Sequence, residues 1–218
     1  MTSPRWSRLA AYASVALLLL VLGAALRPLV VAENPVAAPI LDAVEIGFAQ
    51  DMTAHHEQAL IMAQRLDRGV DPSVSRLADQ LDATQRIELG TMLGWLRLAN
   101  ATPTSARPMA WMGTETAASH QHSATPPAEN APVVAMPGLA TMAELDALGA
   151  ARGRDAEVLF LQLMFRHHQG GMAMAAAADE LLPSGPVKEL ARSMVQQQGQ
   201  EAGLMGMLLT QRHAAPLP

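Results

Sequence analysis

Phe48-Ala-Gln-Asp-Met52-Thr-Ala-His55-His56-Glu-Gln-Ala59-Leu-Ile-Met62-Ala63 has a near copy further along the chain, Phe160-Leu-Gln-Leu-Met164-Phe-Arg-His167-His168-Gln-Gly-Gly171-Met-Ala-Met174-Ala175. Adding 112 to the number of Phe48, Gln50, Met52, His55, His56, Met62 or Ala63 gives the same residue type in the second copy. Phe48, Met52, His55, Ala59 and Met62 are spaced by four, three, four and three, the spacing of a helical seam that faces a bundle interior. Phe160, Met164, His167, Gly171 and Met174 repeat it.

The repeat reaches beyond these two helices. Leu77, Ala78, Gln85, Glu88 and Met92 recur at a spacing of 113 as Leu190, Ala191, Gln198, Glu201 and Met205. Each copy is therefore a hairpin of two helices. Gly69-Val-Asp71-Pro72 ends one helix and starts the next, with Asp71 as N-cap and Pro72 at the first helical position, and Pro183-Ser-Gly-Pro186 repeats the tight break. Helices are expected from about 41 to 67, 72 to 99, 154 to 182 and 186 to 212. Thr141-Met-Ala-Glu144 is a capping box that opens a short additional helix. Residues 100–136, rich in Pro, Ser, Thr and Ala without an apolar period, read as a flexible connector. The expected fold class is all-α: a ferritin-like four-helix bundle made of two repeated helical hairpins, with an N-terminal hydrophobic helix. The organisation is 1–32 membrane anchor or signal peptide, 33–99 first hairpin, 100–136 linker, and 137–218 short helix plus second hairpin, with 41–212 forming one domain.

Composition agrees with helices. Of 218 residues, 50% are hydrophobic but only 3% aromatic, so the core must come from Ala, Leu and Met, which favour helix over strand. A net charge of -5 and the lack of a dense basic run exclude a nucleic-acid partner, whose phosphates demand a basic surface. With no cysteine there is neither a disulfide framework nor a thiolate metal site, so any soft-metal binding must use Met and His. That suits an oxidising compartment.

Arg5 and Arg8 precede an uncharged, mostly apolar run from Leu9 to Leu26. Eighteen residues in a helix span about 27 Å, close to the hydrocarbon thickness of a bilayer. The length favours an uncleaved anchor; a signal peptide cut after Ala32, with Val30 and Ala32 as the small residues before the cut, is the alternative. Either way the body of the protein is exported: held at the cell membrane facing away from the cytoplasm, or periplasmic or secreted.

Adjacent helical residues differ by about 100° around the axis, so His55 and His167 fall on the seam while His56 and His168 flank it, facing a partner helix or water. Leu81, Gln85, Glu88 and Met92, matched by Met194, Gln198, Glu201 and Met205, form a similar stripe that turns Glu88 and Glu201 inward. Counted from the turns at about 1.5 Å per residue, His55 and Glu88 lie at about 22 and 27 Å, and His167 and Glu201 both near 26 Å. The seam histidine and the inward glutamate of each copy are thus expected at similar depth. A buried carboxylate needs a proton, a hydrogen-bond partner or a cation. Asp51, four residues before His55, could orient that ring, although the second copy has Leu163 there.

Two readings compete. One is a structural polar layer, His hydrogen-bonded to Glu and Gln, with Met as adaptable filler. The other is a metal site in which His and Met are suited to copper and Glu88, Glu201, Gln85 and Gln198 act as ligands or supporting acceptors. Likewise the connector is either a solvated linker or a mobile arm offering Met109, Met112, His120 and His122.

Phe48-Ala-Gln-Asp-Met52, His55-His56, Ala59, Met62-Ala63, Gln85, Glu88, Met92, Trp95-Leu96, Met136-Pro-Gly138, Met164, His167-His168, Gly171 and Met174-Ala175 together resemble the family called domain of unknown function 305, whose better-known members are the CopM-like exported copper-binding proteins. The resemblance covers about Leu41 to Arg212 and implies a ferritin-like bundle outside the cytoplasm and, for some members, copper binding. Carried over by position, it implies Met52, His55, His56 and Met62, and Met164, His167, His168 and Met174, as copper ligands. Gly170-Gly171 stand where the first copy has Gln58-Ala59, which puts equal affinity of the two sites in doubt.

The function expected is copper sequestration or delivery without turnover. A structural or interaction bundle is the alternative. A di-metal oxidase fits less well, because such sites use Glu-x-x-His motifs and neither Glu88 nor Glu201 has a His three residues later. The expected partners are a metal ion and, through the N-terminal helix, a membrane; a homo-oligomer is compatible with the sequence.

Overall fold

Two reciprocal caps set where helices begin. The Asp42 carboxylate accepts from the Glu45 amide at 2.8 Å while the Glu45 carboxylate accepts from the Asp42 amide, also at 2.8 Å. The Thr141 hydroxyl and the Glu144 side chain make the same exchange. Each satisfies two amides that a helix start leaves without partners. Asp71 caps the next helix through the Ser73 amide at 2.8 Å, with Pro72 at its first position. The computed structural model of the chain describes residues 4–30, 39–113 and 135–217.

Among these residues there are six α-helices and no strand: α1 Pro4–Val30, α2 Ala43–Arg65, α3 Pro72–Leu98, α4 Met142–Ala150, α5 Gly153–Leu181 and α6 Pro186–Gln211, with a short 3₁₀ turn at Ala110–Gly113. α1 belongs to one compact unit and everything from Ile40 onward to another. In α1 the stretch Leu9–Leu26 is long and apolar enough to cross a membrane, and none of it is buried. The cut considered after Ala32 lies outside the described residues.

In the second unit α2 packs on α3 and α5 on α6, and the two hairpins meet chiefly through α2 against α5. Two apolar clusters fill the interior. The first includes Ala59, Met62, Leu81, Phe160, Met164 and Met205; the second includes Phe48, Met52, Met92, Met174, Met194 and Trp111. α2 therefore runs from the second cluster to the first and α5 from the first to the second, so these central helices are antiparallel. α3 ends at the second cluster while α5 begins at the first, so the connection between hairpins must travel the length of the bundle. One long crossover of this kind is the connectivity of ferritin-like bundles.

Parts of the connector are packed. Trp111 and Met109 are buried in the second cluster, and Gly47 admits the indole, since a Cβ there would come within 2.8 Å of the Trp111 Cβ. The flexible connector expected over 100–136 thus has docked ends; residues 114–134 lie outside the described residues.

Candidate metal centre

Between the two apolar clusters lies a belt of buried polar side chains: His55, His56, Gln85, Glu88, His167, His168, Gln198 and Glu201. All four imidazoles are at most 1% exposed, so the flanking pair is as buried as the seam pair. Helix geometry sorts their partners. His56 and His168 are turned toward the other helix of their own hairpin, where His56 Nε2–H donates to Glu88 Oε2 at 2.7 Å and His168 Nε2–H to Glu201 Oε2 at 2.8 Å. The expectation that the seam histidine sits opposite the glutamate is therefore corrected. The seam of α2 faces α5, not α3, and the roughly 100° step to the next residue is what brings an imidazole to the carboxylate.

The seam histidines meet each other across the hairpins. The ring centroids of His55 and His167 are 3.8 Å apart with planes at 32°. His167 Nε2–H donates to the main-chain carbonyl of His55 at 2.8 Å, and His55 Nε2–H donates to the carbonyl of Pro137 at 3.1 Å. Carbonyls only accept, so Nε2 carries the proton in both rings and Nδ1 holds the lone pair. Burial lowers the pKa of His55 to about 3, helped by the neighbouring His56, against a smaller opposing effect of the Pro137 bond. Burial and then His55 push His167 well below the ordinary histidine value. Both rings are neutral at physiological pH.

The Nδ1 atoms of His55, His56, His167 and His168 are all buried without a hydrogen-bond partner. Leaving one buried nitrogen unpaired has a cost, and here it occurs four times in one layer. Each ring is held through Nε2 by a carboxylate or carbonyl while Nδ1 stays open, the arrangement by which outer partners fix metal-ligating histidines. Among the described residues no group of three or more His, Cys, Asp or Glu side chains converges on one point. Ligation would thus need the rings to turn toward each other, or thioethers to complete the set. Met52, Met62, Met164 and Met174 are fully buried on the two sides of the belt.

A strap covers the seam pair. Gln58 Nε2 donates to the Ala140 carbonyl at 2.9 Å and its Oε1 accepts from the Ala140 amide at 2.6 Å. Arg166 reaches the Leu139 carbonyl at 3.4 Å and grips Glu144 with both guanidinium nitrogens, at 2.9 and 2.8 Å. That grip, ahead of the Thr141 bonds, lowers the Glu144 pKa to about 2. Gly170 allows the strap to lie close, because a Cβ there would fall on the Pro137 carbonyl. Gly171 likewise leaves the space filled by the Gln198 side-chain oxygen. In the first hairpin, where Ala59 stands at the position of Gly171, the corresponding Gln85 has neither amide atom hydrogen-bonded. Gly170 is thus a packing requirement, Gly171 leaves room for a side chain, and the two hairpins are not equivalent.

Asp51 does not reach His55. Its Oδ2 accepts from the Met109 amide at 2.6 Å and from Trp111 Nε1 at 2.9 Å, locking the start of the connector to α2. Burial raises its pKa, partly offset by these two bonds. Of the residues considered as a mobile arm, Met109 is in the core, Met112 is in the partly exposed 3₁₀ turn, and His120 and His122 lie outside the described residues. Sequence reasoning gave no role to Gln58, the Pro137 carbonyl or Arg166. The one available signal was their position beside the histidines or in Met136-Pro-Gly138.

Comparison with known proteins follows the same lines. The model of the family described as domain of unknown function (DUF305) matches residues 45–209. No curated protein matches. A crystal structure of a putative secreted DUF305 protein from Streptomyces coelicolor is similar at 39% identity, covering 80% of this chain and 96% of that one, with a TM-score of 0.68. A DUF305 fragment from Deinococcus radiodurans is 31% identical over 78% of this chain and 97% of its own, with a TM-score of 0.60. CopM in its Cu(II)-bound form shares the fold at 19% identity, covering 77% of this chain and 96% of that one, with a TM-score of 0.52. The chain accordingly belongs to the DUF305 family.

Proposed function

We propose that this protein binds copper outside the cytoplasm, sequestering or delivering it without chemical turnover. The observation that carries the reading is the set of four buried imidazoles whose Nε2 atoms are held by oxygen acceptors while every Nδ1 is unpartnered. Neutral imidazole nitrogens are competent ligands at physiological pH, and His55 and His167 are kept neutral by burial. Buried thioethers on both sides bias the site toward copper over harder cations. His55, His56, His167 and His168, with Met52, Met62, Met164 and Met174, are the residues that would hold it. Glu88 and Glu201 would orient rings, since each already accepts from one. CopM, whose solved forms hold Cu(II) and Cu(I), has the same fold, which supports the reading. α1 supplies export, as an anchor or a signal segment.

Copper titration of the full-length chain in detergent micelles tests this. Binding that disappears when all four histidines are changed to Ala is the expected result; binding no stronger than in that variant would sink the proposal. A second reading, a structural polar layer, draws on the ring stacking and on the lack of a convergent ligand group among the described residues. Melting separates the two. A ligand of the native state raises Tm, whereas a purely structural layer predicts a Tm indifferent to copper and lowered by His55→Ala or His167→Ala. A di-metal oxidase is disfavoured because neither Glu88 nor Glu201 has the His three residues later that such sites use.

A further inference from the structure

The belt has a flank open to solvent. A groove of about 350 Å³ runs between α3 and α6, lined by Leu77, Gln80, Gln197, Gln200, Glu201 and Leu204. Gln80 and Gln200 are exposed at its lips, while Glu201 is 6% exposed. Glu201 therefore has two faces: it lines the groove, and its Oε2 accepts from His168 Nε2–H at 2.8 Å. Its other oxygen accepts from Gln197 Nε2 at 3.0 Å. No Lys or Arg lines the groove, so its charge is that of one carboxylate among side-chain amides. Each carboxylate oxygen has lone pairs beyond the single bond it accepts here.

We infer that this groove is the entrance by which a metal cation reaches the histidine layer, with Glu201 as the group that takes it from solvent and passes it toward His168. The inference rests on the copper-binding reading and adds to it the route and the order of contact. An oxygen donor at the mouth suits a hydrated cation; imidazole and thioether donors deeper in suit one that has shed its water. The route is not duplicated by sequence, because the position that corresponds to Gln197 in the first hairpin is Thr84. The second hairpin is thus the loading side.

The test separates rate from affinity. Full-length chain in detergent micelles is mixed with Cu(II) ions in a stopped-flow instrument, release is driven by a chelator, and Kd is measured by equilibrium competition. Filling the lips with Gln80→Phe and Gln200→Phe, both at exposed positions, should slow uptake and release alike by about tenfold or more, as a raised barrier requires, and leave Kd within about twofold. In the open groove, Gln200→Glu should speed uptake and Gln200→Lys slow it, both effects fading with added salt. Uptake and release at unmodified rates in the filled variant, with Kd unchanged, would overturn the entrance while leaving copper binding intact. Absence of binding by the unmodified chain would overturn both.

Discussion

At the scale of single residues, what each histidine can do depends on which of its ring nitrogens is committed. His55 and His167 donate from Nε2 to carbonyls, which fixes their tautomer. Nitrogen-15 NMR of the metal-free chain should show both rings protonated at Nε2 and unprotonated at Nδ1; the opposite tautomer would contradict the assignment. Their depressed pKa values carry a sign for stability. Between pH about 6.5 and 3 the unfolded chain binds a proton at His55 that the folded chain refuses, so acidification lowers the stability of the metal-free protein through this residue. His167 acts in the same direction, and Glu144, with its folded pKa at about 2, adds a loss as pH falls below the ordinary carboxylate range. Asp51, whose pKa is raised, acts in the opposite direction in the acid range. The Tm of the metal-free chain should therefore fall steadily from pH 7 to pH 4; a flat profile would contradict the buried neutral pair. Asp51 makes a separate prediction. Asp51→Leu, the residue found in the second copy, removes the buried carboxylate that accepts from both the Met109 amide and the Trp111 indole and should cost about 2 kcal/mol or more. Copper affinity should hardly change, because this carboxylate bonds the connector and not His55.

At the scale of elements, local rules were readable in advance and long-range ones were not. The capping box Thr141-Met-Ala-Glu144, the Asp71-Pro72 start and the four-three spacing of Phe48, Met52, His55, Ala59 and Met62 each depend on residues within a few positions of one another. The strap depends on Gln58 finding Ala140 and His55 finding Pro137, each 82 positions away. Nothing in either segment alone announces that meeting. The glutamates meet His56 and His168 and not the seam histidines for a related reason. Depth along a hairpin follows from helical rise alone, but a seam facing the other hairpin does not face its own partner helix, and only packing shows which is which. Gly170-Gly171, in sequence only a difference between the two copies, is a place where two other segments come close. Gly170→Ala should push the strap off α5 and cost about 2 kcal/mol or more, visible as a lower Tm and faster hydrogen exchange at Ala140. Unchanged exchange at Ala140 would mean that the strap is not held there.

At the scale of the whole molecule, a bundle built from Leu, Ala and Met closes two apolar clusters and leaves a polar belt between them. Such a belt tolerates four unpaired imidazole nitrogens only at a cost, and a bound cation would remove that cost. This is the link between the fold and the proposed function: folding concentrates His from α2 and α5, and Met from all four bundle helices, in one interior where water does not compete. The most direct test is X-ray absorption at the copper edge on the full-length chain loaded with one equivalent of copper. The expected result is imidazole scattering together with a sulfur shell, both lost when His55, His56, His167 and His168 are changed to Ala. Copper surrounded only by oxygen donors, with a spectrum unchanged in that variant, would contradict it.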